Sequence, residues 1–299
     1  MEYDSSIIGA GPAGFSAAVC ASERGLRYVA LDQKRVGSTV RDYPAAKYIF
    51  FKPETAGVKG LVPIPGVGSR KEDLLPLWEL ATRIQVREME RCTAIEPVSG
   101  GFQIKTQAET GQTRNVYTAR RVILAIGNLG SPMKLGVTGE NMQIPFGPEG
   151  KVVSRVKYGL SDPGDYANCK CLVVGGGNSA VEAAVDLAGF HRHGDEFVFT
   201  RQNEVTLAVR SDFKGDLKLG NKMMNILDCM DAGRIRVHFH TSVKEIGERE
   251  VVLADAKSGK EKARVANDFI FALIGSERPT KFLQSLGVQI EGEGRRPKA

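Results

Sequence analysis

Gly9-Ala10-Gly11-Pro12-Ala13-Gly14 and Gly175-Gly176-Gly177-Asn178-Ser179-Ala180 are the two stretches that decide the fold. Each follows a short apolar run, Ile7-Ile8 or Leu172-Val173-Val174, and each leads into a helical pattern. In such a strand, turn and helix the first glycine permits a tight turn, the second lets the backbone approach a pyrophosphate, and a small third residue allows close packing. The pair predicts two dinucleotide sites whose first glycines are 166 residues apart.

The composition is that of a globular protein large enough for two domains. The chain has 299 residues, of which 42% are hydrophobic and 25% charged. The net charge of +6 comes from Lys and Arg scattered among acidic residues, without a basic stripe interleaved with aromatics, so we expect no nucleic-acid binding. No apolar run approaches the roughly 20 residues of a membrane helix. Strand-like sequence begins near Met1 in place of a secretory signal, so we expect a cytoplasmic protein.

The cysteines and histidines show no pattern of a disulfide framework or a metal site. Five cysteines occur without a Cys-x-x-Cys spacing, which fits a reducing compartment. We interpret Cys169 and Cys171 as ordinary strand residues, because disulfide geometry between such positions is poor. The pairs His191/His193 and His238/His240 lack further ligands at a recognisable spacing, so no metal is expected.

The first half of the chain reads as part of a doubly wound fold. Strands at 5–8 and 28–32 flank a helix at 15–24. Residues 36–68 are rich in Pro, Gly and aromatics and predict a long ordered loop that covers a ligand. A capping box of Ser69 and Glu72 predicts a helix to about residue 85. A β-meander over 92–98, 102–106 and 115–119 then leads into the apolar run 121–127.

The second half repeats this organisation. Residues 133–168 read as a connection between domains, and the second unit begins at Cys171. A strand at 205–210 and a helix at 219–232, closed by Gly233, follow the second glycine motif. Further strands are predicted at 236–239, 243–246, 251–254 and 269–275.

Two charged residues at strand ends distinguish the cofactors. Asp32 stands 23 residues after Gly9, at the end of Tyr28-Val29-Ala30-Leu31, where a carboxylate accepts hydrogen bonds from an unphosphorylated ribose. In the second unit the corresponding strand ends at Arg210, followed by Lys214 and Lys218. An arginine there favours a 2′-phosphate, so NADP(H) is expected over NAD(H), with NAD(H) still possible. The alternative for each residue is a solvated surface charge.

The apolar runs 122–127 and 269–275 both end in glycine. Glycine at a strand end lets the backbone approach a ligand closely. We therefore add Ala125 and Gly127 to the first candidate site, and Gly275 to the second.

Together these motifs resemble the two-domain flavoprotein (pyridine nucleotide-disulfide oxidoreductase) superfamily. Within it the chain is most similar to the low-molecular-weight thioredoxin reductase-like branch, which includes bacillithiol disulfide reductases and thioredoxin reductase-type ferredoxin–NADP reductases. The resemblance spans about 3–290 and implies an α/β fold of two Rossmann-like doubly wound domains, one inserted in the other, each with a β-meander. It implies a homodimer, an FAD domain at 1–149 and 269–299, and an NAD(P)H domain at 150–268.

The same resemblance assigns the cofactors. It implies FAD on Gly9, Gly11, Pro12, Ala13, Gly14, Asp32, Ala125 and Gly127. It implies NADP(H) on Gly175, Gly177, Asn178, Ser179, Ala180, Arg210 and Gly275. Hydride would pass from the nicotinamide to the flavin N5 atom. The chemistry belongs to the cofactor, so no catalytic side chain is nominated.

Three departures from the family pattern limit the activity. Thioredoxin reductases carry a redox cysteine pair where this chain has residues 176–180, and bacillithiol disulfide reductases carry a cysteine at the position of Ala13. The family's closing Ala-Gly-Asp-like segment, which contacts the flavin, is missing before Ala299. We therefore expect an FAD-dependent NAD(P)H oxidoreductase that passes electrons directly to an acceptor: a disulfide, ferredoxin, quinone or partner subunit.

Two other functions stay open. One is an NADP(H)-binding subunit or sensor without flavin turnover, which the missing closing segment and the polar Ser5 and Ser6 favour. The other is a flavin-dependent monooxygenase, which shares both glycine motifs, although the Phe-x-Gly-x-x-x-His-x-x-x-Tyr/Phe run of that family is missing here.

Overall fold

The computed structural model describes residues 1–43, 48–49, 69–73, 84–108, 111, 113–127, 131–194, 196–213 and 221–287. The chain divides by its internal contacts into two compact units, Met1–Ser131 with Ser276–Ala299, and Pro132–Gly275. Each unit contains a glycine motif between a parallel strand and a helix, and each carries a β-meander. The predicted α/β class with two Rossmann-like units, one inserted in the other, is confirmed.

The first unit begins with the predicted strand, turn, helix and strand. Its elements are β1 (Tyr3–Ile8), α1 (Pro12–Glu23), β2 (Tyr28–Leu31), α2 (Ser38–Arg41), β3 (Tyr48–Ile49), β4 (Ser69–Arg70), β5 (Val86–Arg87), β6 (Glu90–Val98), β7 (Gly101–Ala108) and β8 (Thr113–Leu124). In the described ranges the main sheet has the order β5-β2-β1-β8-β7-β6. The four neighbouring strands β5, β2, β1 and β8 run parallel to one another. The meander β8-β7-β6 extends the same sheet with antiparallel pairs.

The core of the first unit lies on both faces of this sheet because alternate strand residues point to opposite sides. Ile7 and Ala30 pack with Phe15, Ala18 and Val19 of α1. The opposite face buries Ile8, Val29, Leu31, Cys92, Ile104, Tyr117 and Ala119. Helix α1 is thereby held against β1 and β2, and its first turn begins within the glycine motif, at Pro12.

The second unit contains its own parallel sheet. After the short strand β9 (Ser131–Pro132), its elements are β10 (Gln143–Phe146), β11 (Lys151–Ser154), β12 (Val156–Lys157), a 3₁₀ turn (Pro163–Tyr166), β13 (Lys170–Val174), α3 (Asn178–Ala188), β14 (Phe190–His193), β15 (Glu196–Phe199), β16 (Glu204–Val209), α4 (Asn221–Asp231), β17 (Ile235–Phe239), β18 (Thr241–Ile246), β19 (Glu250–Asp255), β20 (Glu261–Ala266) and β21 (Phe269–Ala272). The described part of the sheet has the order β12-β21-β13-β16-β17, with all pairs parallel.

This sheet is covered on both faces. On one face Val173, Leu207 and Phe271 pack with residues of α3 and α4. On the other face Leu172, Ala208 and Ile270 pack with the antiparallel meander β18-β19-β20. The chain then continues through β22 (Ser276–Glu277) and α5 (Thr280–Ser285) in the first unit.

The division by contacts differs from the expected domain boundaries at 149/150 and 268/269. Strand β21 pairs with β13, so residues 269–275 belong to the second unit. Ile144, Phe146 and Val153 of the β10–β11 hairpin pack against the core of that unit. The second unit therefore extends beyond both expected boundaries.

Several local predictions need correction. The strands expected at 115–119 and 122–127 are joined in one strand, β8, which ends at Leu124. Arg120 and Arg121 are exposed within it and do not interrupt its pairing. Strand β20 was not predicted, nor were the antiparallel hairpins β10–β11 and β14–β15. Near the expected capping box, the Arg70 N–H donates to Asp73 Oδ2 at 3.0 Å, one residue beyond the predicted pair of Ser69 and Glu72. Residues 74–83, over which the sequence predicts the rest of that helix, lie outside the described residues, as do residues 44–47 and 50–68 of the predicted loop.

Candidate functional site

The first candidate site lies where three adjacent parallel strands end. Gly9, Asp32 and Ala125 directly follow the last residues of β1, β2 and β8. The Gly9 N–H donates to Leu31 O and the Ala125 N–H donates to Ile8 O, both at 2.8 Å. Residues that are far apart in the sequence are thus brought to one edge of the sheet, the edge at which doubly wound folds bind ligands.

The Asp32 carboxylate is held in place at this edge. Its Oδ2 atom accepts the Ala10 N–H at 2.7 Å and its Oδ1 atom accepts the Lys34 N–H at 2.8 Å. Each carboxylate oxygen has two lone pairs, so both oxygens can still accept a hydroxyl group of a ligand. The carboxylate can therefore serve the ribose contact predicted for it.

The glycines of the first motif differ in what surrounds them. A Cβ atom at Gly9, which has φ +100°, would overlap the Ala125 carbonyl oxygen, and one at Gly14 would overlap the Gly9 carbonyl oxygen. At Gly11, by contrast, a Cβ would meet no atom of the described residues within 4 Å. Gly9 and Gly14 are thus needed for packing, whereas the smallness of Gly11 leaves room for a ligand such as a pyrophosphate.

The first turn of α1 adds a favourable field for an anion. Gly11 is the N-cap, Pro12 follows, and in the described structure no side chain caps this end and no acidic residue lies in its first turn. The N–H groups at a helix start have no partner within the helix, and the helix dipole is positive there. Ala13, in this turn, is exposed. The arrangement fits a phosphate group.

The second candidate site has the same construction. The Gly175 N–H donates to Ala208 O at 3.0 Å, and the Leu273 N–H donates to Val174 O at 2.8 Å. Gly175 has φ +144°, and a Cβ there would overlap the Leu273 carbonyl oxygen. The ends of β13, β16 and β21 therefore meet at the second glycine motif.

The start of α3 also repeats the first site. Gly177 is its N-cap, and a Cβ at Gly177 would meet no atom of the described residues within 4 Å. Ala180 is fully buried, 3.0 Å from a Cβ built on Gly175, so its small side chain is required. Ser179 is exposed in the first turn. Asn178 Oδ1 is buried and has no hydrogen-bond partner in the described ranges.

Gly176 is a site residue that the sequence motif does not reveal. A Cβ at this residue would lie 2.6 Å from Val209 Cγ1, at the end of β16. The middle glycine of the triplet is thus set by packing against the neighbouring strand, a contact that appears only when the two strands are aligned.

Arg210 and Gly275 lie at the ends of the flanking strands. Arg210 directly follows β16 and is exposed. Gly275 has φ +107°, and its carbonyl oxygen accepts the Met133 N–H at 3.0 Å. Gly127 is exposed with φ +69°. Lys214 and Lys218, which the sequence placed near Arg210, lie outside the described residues.

The cysteines lie in the described part of the chain as free thiols. Cys92, Cys169, Cys171 and Cys229 are buried, and Cys20 is partly exposed. Burial raises the pKa of Cys92 to about 11 and that of Cys229 to about 12, and it also raises the pKa of Cys169 and Cys171. These four side chains are protonated near neutral pH and are therefore poor nucleophiles.

The described residues offer neither a metal-binding cluster nor a membrane-spanning helix. No group of three or more His, Cys, Asp or Glu side chains that could hold a metal occurs in the described ranges. None of the helices described is both long and apolar enough to span a bilayer.

The sequence and the fold of the chain are both similar to those of known proteins. The sequence model of a family described as pyridine nucleotide-disulphide oxidoreductase matches residues 6–298. Bacilliredoxin reductase Bdr of Bacillus subtilis is 28% identical over 99% of this chain and 84% of its own length. Ferredoxin–NADP reductase of Ignicoccus hospitalis is 27% identical over 97% and 83%. The solved structure of bacillithiol disulfide reductase Bdr from Bacillus cereus covers 98% of this chain and 84% of its own, with a TM-score of 0.80 and 23% identity, a likeness of fold.

Proposed function

The chain belongs to the pyridine nucleotide-disulphide oxidoreductase family, and we propose that it transfers electrons from NADPH to its acceptor without a cysteine relay. Membership makes it an NAD(P)H-dependent flavin oxidoreductase that uses FAD and NADP(H). The observation that carries the two cofactor sites is the pair of glycine turns, each at the carboxyl ends of adjacent parallel strands, and each with an unobstructed N-cap glycine among the described residues.

We assign FAD to the first site. Gly9 and Gly14 shape the turn, Gly11 leaves room for the pyrophosphate, and the N–H groups of Ala13 and Gly14 lie at the positive end of α1. Asp32, anchored by the Ala10 N–H, accepts the adenosine ribose. Ala125 and Gly127 line the end of β8. Bound FAD would supply the redox centre, taking a hydride from NADPH and yielding electrons to the acceptor.

NADPH is assigned to the second site. Gly175 and Ala180 let α3 start close to β13, while Gly177, Asn178 and Ser179 form its first turn. Arg210 extends from the end of β16, the strand beside β13, where its guanidinium can pair with a 2′-phosphate. An unphosphorylated ribose offers no such charge, so the arginine favours NADPH over NADH.

The absence of a cysteine relay rests on the residues beside both cofactor sites. Position 13 is alanine, and residues 176–180 contain no cysteine. Four of the five thiols are buried and protonated. Electrons would then leave toward a disulfide, ferredoxin, quinone or partner subunit without first forming a dithiol in this chain.

The decisive experiment is an anaerobic NADPH titration of the purified chain supplied with FAD, followed by the flavin absorbance. Without a redox-active disulfide, complete bleaching should take about one equivalent of NADPH per flavin, whereas a cysteine relay would store a second electron pair and take about two. A chain that binds no FAD would instead support the NADP(H)-binding subunit or sensor.

The variant Gly177→Ala separates the two sites. Its backbone angle, φ −96°, suits alanine, so the fold should be retained, but the methyl group would occupy the space assigned to the NADPH pyrophosphate. We expect this variant to bind FAD normally and to be reduced by dithionite, yet to require at least about tenfold more NADPH for bleaching. Unchanged reduction by NADPH would remove the second site from the proposal.

A further inference from the structure

A cleft of about 410 Å³ lies in the second unit, at the edge of its sheet opposite the glycine motif. Three of its lining residues stand at the amino ends of neighbouring parallel strands: Arg155 directly before β12, Lys170 at the start of β13, and Asn267 shortly before β21. Glu248, Arg249 and Asp268 complete its polar lining. Since β13 runs from Lys170 toward Gly175, this cleft is separate from the candidate NADPH site.

Arg155 is a buried cation in the wall of this cleft, with 1% of its surface exposed. Its Nη1 atom donates to the carbonyl oxygens of Gly247 and Glu248, and its Nη2 atom donates to the carbonyl and side-chain oxygens of Asn267, both at 2.6 Å. A weaker contact joins Nη1 to the Met142 sulfur at 3.4 Å. All these acceptors are uncharged, so the contacts leave the positive charge without a hydrogen-bonded counterion within the described part of the chain.

Two buried hydrogen-bond donors in the same wall are unused. Arg155 Nε and Asn267 Nδ2 have no acceptor among the described residues. Asn267 is only 3% exposed, and its Oδ1 is already engaged by Arg155. An unsatisfied buried donor costs about 1–3 kcal/mol, and more when it is charged. Both donors require a partner that accepts hydrogen bonds.

The charged groups around the cleft favour an anionic partner. Lys170 and Arg249 are exposed at its rim, together with the carboxylates of Glu248 and Asp268. Asp268 Oδ2 accepts the Lys170 N–H at 2.8 Å. Burial lowers the pKa of Arg155, and the nearby Asp268 carboxylate opposes this in part. Three lining cations, Arg155, Lys170 and Arg249, stand against two lining carboxylates, and the Lys170 ammonium also lies 3.8 Å from the Glu204 carboxylate outside the lining. The buried Arg155 guanidinium has no hydrogen-bonded carboxylate in the described ranges, so a ligand with one negative charge would neutralise this group.

We propose that this cleft binds a small oxyanion, a phosphate or a carboxylate, whose oxygens accept from Arg155 Nε and Asn267 Nδ2. Arginine and amide donors side by side suit such oxygens, and a charge-assisted hydrogen bond in a buried site is strong. The ligand would bridge the amino ends of β12 and β21 and the β18–β19 turn that carries Glu248 and Arg249. The site is independent of electron transfer and stabilises the second unit.

The test measures the thermal midpoint of the full chain in inorganic phosphate, acetate and chloride at equal ionic strength. Saturating FAD and NADP⁺ keep the probes out of the dinucleotide sites. We expect phosphate, acetate or both to raise the midpoint by about 2–4 °C over chloride, which would identify the class of oxyanion. Equal midpoints in all three salts would overturn the proposal.

Asn267→Asp is the matched variant, because it keeps the oxygen that Arg155 uses but replaces the unused donor with a carboxylate. It should lose the salt-specific shift, while the same chemical change at an exposed residue outside the cleft, Gln202→Glu, should keep it. If Asn267→Asp fails to fold, Arg249→Gln at the rim is tested in its place. We expect this variant to bind the oxyanion about threefold to tenfold more weakly than the wild type. A shift that is equal in Asn267→Asp and wild type, or in Arg249→Gln and wild type, would place the anion elsewhere.

Discussion

The Oδ2 atom of Asp32 accepts the backbone N–H of Ala10 at 2.7 Å, which joins the end of β2 to the glycine turn after β1. The two residues are 22 apart in sequence, and parallel pairing of β1 with β2 brings them together. The contact orients the carboxylate and also secures the turn. Asp32 thus combines a structural role with the proposed ribose contact, and the two roles can be tested apart.

Replacing Asp32 with Asn should weaken FAD binding more than it weakens the fold. The amide retains one oxygen for the Ala10 N–H, but it loses the charge and the second acceptor, which also receives the exposed Lys34 N–H. We expect the FAD dissociation constant to rise about 10- to 100-fold, because hydrogen bonds to a charged group contribute about 1.5–3 kcal/mol. Fluorescence titration of the apoprotein with FAD measures this. Glu23→Gln, at the exposed end of α1, is the control, and equal affinity in both variants would contradict the assignment.

Alanine at Gly11 should impair FAD binding, whereas alanine at Gly14 should destabilise the fold of the first unit. Gly11 has φ −70° and space for a Cβ, so Gly11→Ala should change the free energy of unfolding by less than about 0.5 kcal/mol while reducing FAD affinity. At Gly14 the Cβ would overlap the Gly9 carbonyl oxygen, so Gly14→Ala should destabilise the first unit by about 2 kcal/mol or more. Urea unfolding without FAD compares the two. A Gly11→Ala protein that binds FAD as wild type does would show that the pyrophosphate lies elsewhere.

Arg210→Ala should shift the enzyme from NADPH toward NADH. The exposed guanidinium is proposed to pair with the 2′-phosphate, which NADH lacks. We expect kcat/KM for NADPH to fall about 10- to 100-fold with little change for NADH, measured with an artificial electron acceptor. Arg236→Ala, an exposed arginine on the next strand, is the control. Equal losses for both nucleotides would point to a role for Arg210 outside the phosphate contact.

Much of the fold and of the two sites follows from local sequence, because the glycine motifs and apolar runs carry their own geometry. Asp32 could be placed by its distance from Gly9 alone. That β8 is a single strand could not be predicted, since its first half pairs with β7 and its second half with β1. The Arg155–Asn267 contact joins residues 112 apart, and Gly176 against Val209 depends on strand alignment, so neither has a local signal.

Ser6 illustrates a polar residue whose environment contradicts its chemistry. It is fully buried in β1, and its Oγ atom has no hydrogen-bond partner among the described residues. Removing an unsatisfied hydroxyl relieves a desolvation cost, so Ser6→Ala should raise the free energy of unfolding by about 1 kcal/mol. Ser99→Ala, at an exposed position of the turn between β6 and β7, should change it by less than about 0.5 kcal/mol in the same urea experiment. Destabilisation by Ser6→Ala would mean that the hydroxyl has a partner when the chain folds in solution.

A buried polar cluster in the first unit predicts a loss of stability at high pH. Glu90 Oε1 accepts the hydroxyl groups of Thr106 and Tyr117, at 2.6 and 2.9 Å, and the Asn115 amide at 2.8 Å. Burial, together with the Glu90 hydrogen bond, raises the pKa of Tyr117 from 10.0 to about 12. Between these two values the folded chain keeps the phenolic proton and the unfolded chain has lost it, so stability falls as pH rises.

The contribution from Tyr117 should be fully present below about pH 10 and should fall by about 1.4 kcal/mol per pH unit up to about pH 12. Cys92, whose pKa is raised to about 11, and Tyr158, raised to about 12, add to the alkaline loss in the same direction. Tyr117→Phe removes the contribution of Tyr117 and leaves those of Cys92 and Tyr158 in place. Its urea unfolding free energy should therefore fall less steeply than that of wild type above pH 10, with parallel profiles near pH 8. Identical slopes above pH 10 would show that Tyr117 does not keep its proton through the Glu90 cluster.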